Sequence, residues 1–241
     1  MRVLAVDTSS SVAAVAVMDD ALLLGEYLLN HGKTHSQKLV PMIKEVMDGL
    51  GLVPGDIGLF AASAGPGSFT GLRIGVTTIK AMAFAAKKPA VAVPTLDALA
   101  YGIAAAGDAL ICPIMDARNG QVYTALYSIE NGRQKNLSGY MGVPLDELVK
   151  LIKSKNVRTV FTGDAVPKYR EALKAGLGEA CDFAPACMLV QRASTVAQLA
   201  LMRASSGELE SCFDMAPFYL RKSQAEREYD KKHGVRTPEV L

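Results

Sequence analysis

Gly65-Pro66-Gly67-Ser68-Phe69-Thr70-Gly71-Leu72-Arg73-Ile74-Gly75 is the stretch on which the reading of this chain turns. An apolar, β-rich segment (IGLFAAS, 57–63) leads into it, and a small, apolar helical segment (71–86) leads out. A strand that turns through glycines into a helix is a building step of an α/β sheet. Backbone amides at such a helix start can cradle an anion when glycines allow close approach. Ser68 or Thr70 can cap the helix. The loop is not a Walker A motif, because no Lys follows Gly71. It is not a dinucleotide fingerprint either, since Thr70 stands where a glycine is required. The competing reading is a tight connection whose glycines serve backbone geometry and close packing, and spacing alone leaves both open. Gly71 and Gly75 lie one helical turn apart, and Ala81 and Ala85 repeat that spacing. Such a face suits close approach of the chain's own sheet or of a partner helix.

Upstream, residues 2–7 (RVLAVD) read as a strand ending in Asp7, and 12–18 and 22–29 as two more, with Asp19-Asp20 as their turn. Leu39, Met42, Ile43, Val46, Met47 and Leu50 then mark one face of an amphipathic helix over 35–50. A strand at 90–93 and a helix at 95–105 close the first half. The second half repeats this grammar. A strand at 110–115 ends in Asp116, strands follow at 121–127 and 134–141, then a helix at 144–153. A strand at 157–162 leads into Gly163-Asp164 and a helix at 166–175. The repeat, at ~100 residues, predicts two lobes of one α/β architecture. The division expected is 1–106, 107–220 and a charged tail, 221–241, with six basic and four acidic residues. A last helix over 194–206 can pack back on the first lobe.

Composition narrows the function. The 241 residues carry 26 basic and 24 acidic side chains, a net charge of +2. That balance lacks the gross basic footprint of a protein whose main task is gripping nucleic acid. No run supplies the ~20 apolar residues of a membrane span. The start, Met-Arg-Val-Leu-Ala-Val-Asp, meets a charge too early for a signal peptide, so a cytoplasmic protein is expected. Cys112, Cys181, Cys187 and Cys212 show no CxxC spacing and read as small core residues. Asp7-Thr8-Ser9 places a carboxylate and two hydroxyls at a strand's carboxyl end, where open α/β sheets bind ligands, or forms an Asx-type turn. His31 and His35 have HxxxH spacing, but Gly32 intervenes and no third metal ligand is near. A serine-hydrolase elbow, GxSxG, is absent from the chain.

Four segments together resemble the TsaB (YeaZ) family: LAVDTSSSVAAVAV (4–17), HSQKLVPMI (35–43), AGPGSFTGLRIGVTTIKAMAFA (64–85) and DARNGQVYTALY (116–127). Weaker echoes are FTGD (161–164) and PFYLR (217–221). The resemblance implies an actin/Hsp70-like (ASKHA) fold of duplicated ribonuclease-H-like lobes. It implies a role in making N6-threonylcarbamoyladenosine at position 37 of tRNAs that read ANN codons. There the chain would be the partner of TsaD, the transferase, with a TsaE-type ATPase joining through the complex. It would form a homodimer when alone, meet tRNA mainly indirectly, need no cofactor and touch no membrane. TsaD-like proteins carry a metal-binding HxxxH after the short strand that follows the glycine loop. Here Thr95 and Leu99 stand at those positions, and Leu99 has no donor atom, so a non-catalytic subunit is implied. The implied interface comprises His35, Leu39, Met42, Ile43, Val46, Gly71, Ile74, Gly75, Thr78 and Met82. Asp7, Thr8, Ser9, Gly65 and Gly67 become the remnant of a nucleotide site. The alternative is an ASKHA-type ATPase or small-molecule kinase resting on those same residues. A peptidase finds no nucleophile–base pair and no zinc motif.

Overall fold

The computed structural model describes residues 1–30, 34–104, 107–130, 133–209 and 211–221, with positions 226, 229, 232 and 233. His31 and most of the 221–241 tail lie outside the described residues. Two sheets share one strand order. In the first, β1 (Arg2–Asp7) pairs antiparallel with β2 (Val12–Asp19), and β2 with β3 (Leu22–Asn30). On its other side β1 pairs in parallel with β4 (Leu59–Gly65), and β4 with β5 (Ala90–Pro94), giving the order β3-β2-β1-β4-β5. The second sheet repeats it as β10-β7-β6-β11-β12. Its strands are β6 (Leu110–Asp116), β7 (Gln121–Thr124), β10 (Met141–Pro144), β11 (Thr159–Thr162) and β12 (Cys181–Phe183). A hairpin of β8 (Tyr127–Glu130) and β9 (Arg133–Asn136) is inserted between β7 and β10.

Two strands expected as single runs are therefore split. Segment 121–127 breaks at Ala125-Leu126, where the chain leaves its pairing with the end of β6 and meets Ile111 through Tyr127. Segment 134–141 breaks because Asn136 Oδ1 accepts the amides of Ser138 and Gly139, and Gly139 sits at φ +71°. An Asx-type turn with glycine in the left-handed region ends a strand. The three-residue β12 is too short to show a period.

Among the described residues six helices cover the sheets: α1 (His35–Gly49), α2 (Phe69–Ala86), α3 (Thr95–Tyr101), α4 (Leu145–Lys155), α5 (Val166–Leu177) and α6 (Ala193–Ser205). β1 is buried on both faces, as its unbroken apolar run requires. Leu4, Val6, Val15 and Phe60 face Leu39, Met42, Ile43, Val76 and Ile79 of α1 and α2. Val3, Ala5, Leu59 and Val91 face Val196, Ala197 and Ala200 of α6. The chain thus returns from the second lobe to cover the first. α4 and α5 cover one face of the second sheet. Leu96, Leu99 and Ala100 of α3 cover the other, beside Ile111, Tyr123 and Tyr127. Cys112 and Cys181 are buried, Cys212 is half-buried and Cys187 is exposed, so the core reading holds for two of the four. No helix among the described residues is long and apolar enough to cross a membrane.

Candidate functional site

The glycine loop sits at the carboxyl ends of β1 and β4, beside the β1–β2 turn. Ser68 caps α2 by accepting the Gly71 amide at 3.3 Å. The Ser68 amide itself donates to the Ser9 carbonyl at 2.7 Å. Each glycine of the row faces a specific atom of this same chain. A Cβ on Gly67 would run into the Ser9 carbonyl, on Gly71 into the Thr8 carbonyl, and on Gly75 into Thr8 Oγ1, all well inside 3.0 Å. A Cβ on Gly65 would strike the carbonyl of Phe218, and that residue's amide donates to Ala64 O at 2.8 Å. Thr8 Oγ1 donates to Gly71 O at 2.7 Å, which closes the seam. The glycines serve intramolecular backbone approach, as the close-packing reading requires.

The residues of the implied interface differ in their placement. Gly71 and Gly75 are buried against Thr8 of this chain. Leu39, Met42 and Ile43 are also core, at 1%, 3% and 4% exposure. His35 is half-buried, and its Nε2–H donates to Ser10 O at 2.8 Å while its ring edge faces Gly71. Of the implied interface, Val46, Ile74, Thr78 and Met82 are half-exposed. Val40 of α1 and Phe84 of α2 are exposed as well.

Asp7, Thr8 and Ser9 have 0%, 0% and 1% exposure. Asp7 Oδ1 accepts the Ser9 amide at 2.8 Å and the Ser9 hydroxyl at 2.7 Å, so the Asx-type turn forms. Its Oδ2 and the neighbouring Ser63 hydroxyl are enclosed side by side without a well-formed hydrogen bond. Burial pushes the Asp7 carboxyl up to about 6, against opposing help from Ser9, Ser63 and His35. Across the junction, Asp164 follows Gly163 of the second lobe. Its Oδ1 is enclosed and unpartnered, and burial, with the like charges of Asp116 and Asp7, pushes it to about 6 also. Among the described residues no group of three or more His, Cys, Asp or Glu is arranged to hold a metal ion.

Thr95 and Leu99, at the positions of TsaD-like metal ligands, are buried in the first turns of α3. Between them Asp97 does something the sequence did not announce. Its Oδ1 accepts the hydroxyls of Tyr127 at 2.7 Å and Tyr140 at 2.9 Å, both from the second lobe. Arg203 of α6 approaches its Oδ2 at 3.6 Å and donates to Ala92 O. α3 thereby pins one lobe to the other. Residues 211–221 are the second omission. They run back along α2, with Lys80 donating to Phe213 O and Met215 O, and Tyr219 stacked on Phe69 at 4.2 Å. The segment PFYLR was the one visible trace of this arm. Arg221, placed by sequence in the tail, is bound to the second lobe through Ala117 O at 2.9 Å.

Comparisons with known proteins agree with this architecture. The two sheets of one order, each flanked by helices, define an α/β protein of the actin/Hsp70-like (ASKHA) class with duplicated ribonuclease-H-like lobes. Component A of the (R)-2-hydroxyglutaryl-CoA dehydratase of Acidaminococcus fermentans shares that fold, with a TM-score of 0.53 at 13% identity over 85% of this chain and 99% of that one. A family model described as TsaD, tRNA N6-adenosine threonylcarbamoyltransferase, matches residues 29–229. The Bacillus subtilis tRNA threonylcarbamoyladenosine biosynthesis protein TsaB is 31% identical over 95% of this chain and 98% of its own length. A structure described as YeaZ from Pseudomonas aeruginosa superposes with a TM-score of 0.74 at 25% identity, covering 91% of this chain and 99% of that one. The chain belongs to the TsaB family, within the wider group that the TsaD model describes.

Proposed function

We propose that the chain is a non-catalytic partner subunit for a TsaD homologue in the synthesis of N6-threonylcarbamoyladenosine at position 37 of tRNA. A TsaE-type ATPase would join through the complex, and the setting would be cytoplasmic. The observation that carries the non-catalytic reading is the sealed junction. The Ser68 amide is taken by the Ser9 carbonyl, the Gly71 amide by Ser68 Oγ, and the Asp7–Ser9 turn that a phosphate ligand would need is buried against the glycine row. The docking face proposed is the open side of α1 and α2, through Ile74, Thr78 and Met82 with Val46 at its margin. These apolar or small side chains remain half-exposed after the sheet has covered the rest of α2. Docking there would act by favouring one state of the partner, which requires unequal affinity for its two states.

Co-purification with a TsaD homologue, followed by gel-filtration mass, tests this reading. Thr78→Arg is expected to abolish the heterodimer while the isolated chain keeps its melting temperature. A heterodimer that survives Thr78→Arg sinks the proposed face. The alternative, an ASKHA-type ATPase, retains one supporting observation: the Oδ2 of Asp7, enclosed without a well-formed hydrogen bond. Calorimetry with MgATP on the isolated chain decides it. Tight binding lost in Asp7→Ala would overturn the subunit reading.

A further inference from the structure

The arm at residues 211–221 touches both lobes, and its contacts form one connected path. Met215 is fully buried in the first lobe's core. Phe84 and Phe213 meet edge to face at 5.6 Å, so the arm is held along the far end of α2. Near the start of α2, Phe218 pairs with Ala64, and its carbonyl fills the space beside Gly65. Arg73 Nε donates to the Tyr219 hydroxyl at 3.1 Å. From the same few residues the arm reaches the second lobe. The ring of Phe218 lies 5.3 Å from that of Tyr140, Leu220 packs against the cluster that α3 forms with Ile111, Met115 and Tyr123, and Arg221 donates to Ala117 O. Four successive residues therefore engage the glycine loop on one side and the β6–β7 turn on the other.

We propose that residues 211–221 are an interlobe strap that couples the stance of the second lobe to the order of the Gly65–Leu72 junction and the start of α2. The physical reason is the close backbone approach at Gly65. A strap whose Phe218 carbonyl is seated where a side chain would be cannot shift without loosening the Phe218–Ala64 bond. Interlocked contacts of this kind move between discrete arrangements more readily than they deform gradually. The strap thus has a seated state and a released state, and release at either lobe is felt at the other. For function this rests on the docking reading: a partner on α2 would sense the second lobe through the strap. The coupling itself needs no partner, so failure of either idea leaves the other standing.

Amide hydrogen exchange on the full chain tests it. Arg221→Ala removes the strap's hydrogen bond to the second lobe, made to Ala117 O and not to the glycine loop. Loss of a bond from a charged donor corresponds to about tenfold in an opening equilibrium. Exchange across residues 64–73 is therefore expected to accelerate by about tenfold, alongside residues 115–123. Lys168→Ala, which breaks the exposed Lys168–Asp116 pair in the same lobe without touching the strap, is expected to leave 64–73 unchanged. Acceleration confined to 115–123 in Arg221→Ala overturns the proposal. So does an equal acceleration of 64–73 in Lys168→Ala, since that would be general loosening.

Discussion

Asp7 and Asp116 hold the same place in the two lobes, each closing the first strand of its sheet, and they have opposite fates. Asp7 is fully buried, caps its own turn with one oxygen and leaves the other without a well-formed hydrogen bond. Asp116 is 37% exposed, caps its turn through the Arg118 amide and pairs with Lys168 at 2.9 Å. The strand-to-helix connections diverge in the same way. In the first lobe, Gly65, Gly67, Gly71 and Gly75 are met by Phe218, Ser9 and Thr8, residues far away in sequence. In the second, Gly163 (φ +104°) is met by Ile114 of the adjacent strand. Duplication supplies the frame, and both lobes keep a close backbone approach at this turn, while the first lobe alone extends it into the helix through Gly67, Gly71 and Gly75. A helix whose inner face is fixed this tightly can offer its outer face as a rigid surface.

The most damaging way to probe the difference is to add a methyl group to each lobe's helix. Gly71→Ala places a Cβ against the Thr8 carbonyl, where backbone must move. A cost of roughly 3–5 kcal/mol is expected. Gly176→Ala in α5 meets the two Cγ atoms of Val149, a side-chain and not a backbone contact, and the overlap is partly offset by a gain in helix propensity. Its net cost should be about 1–2 kcal/mol, below that of Gly71→Ala. Urea unfolding of both variants measures this. Equal, small effects would mean that the first junction has slack and is not sealed.

A smaller effect separates the two aspartates. The folded-state value of Asp7 lies near 6, above its ordinary 3.8. Protonation therefore favours the folded chain. The unfavourable contribution is absent below about pH 4, grows as pH rises, and is complete above about pH 6. Asp7→Asn removes it, and the new amide can serve the neighbouring Ser63 hydroxyl. We expect a gain of roughly 2–3 kcal/mol at pH 7 that vanishes at pH 4. Asp116→Asn should show no such gain, because that carboxylate is already solvated and paired. A pH-independent difference for Asp7→Asn would remove the account of a buried, unpaired charge.

What could be read from sequence follows from where periodicity exists. The period-2 and period-3.6 runs placed β1 to β5, α1 and α2, and the shared order exposed the duplication. Gly71 and Gly75 were recognisable as a close-packing face, but spacing along one helix cannot say which neighbour approaches it. That neighbour is the Thr8 turn, fixed by a fold in which β1 lies beside β4. Leu39, Met42 and Ile43 posed the same problem, since an apolar stripe looks alike whether its own sheet or a partner covers it. Residues 211–221 escaped because an irregular arm has no period, and its contacts are far away in sequence, from Tyr140 back to Ala64. Asp97 escaped because its partners, Tyr127 and Tyr140, come from a hairpin region inserted in one lobe only.

That clamp supplies the mildest test of how the lobes differ. Asp97 belongs to the first lobe's α3, while the tyrosines that serve it belong to the second. Burial raises its carboxyl, and the tyrosine hydroxyls and Arg203 oppose that rise. The hydroxyls thus stabilise the ionised form, so their loss matters most where Asp97 is charged. Tyr127→Phe keeps the ring in its packed position and removes one donor. A loss of about 1–2 kcal/mol is expected at pH 7. It should shrink as pH falls through the Asp97 titration, because the neutral acid needs fewer donors. This pH trend runs opposite to that of Asp7→Asn in sign: one variant loses stability at neutral pH and the other gains it. Should Tyr127→Phe cost the same at pH 4 as at pH 7, the hydroxyl acts through packing alone. The lobes would then be joined by apolar contact and the strap, with no electrostatic clamp between them.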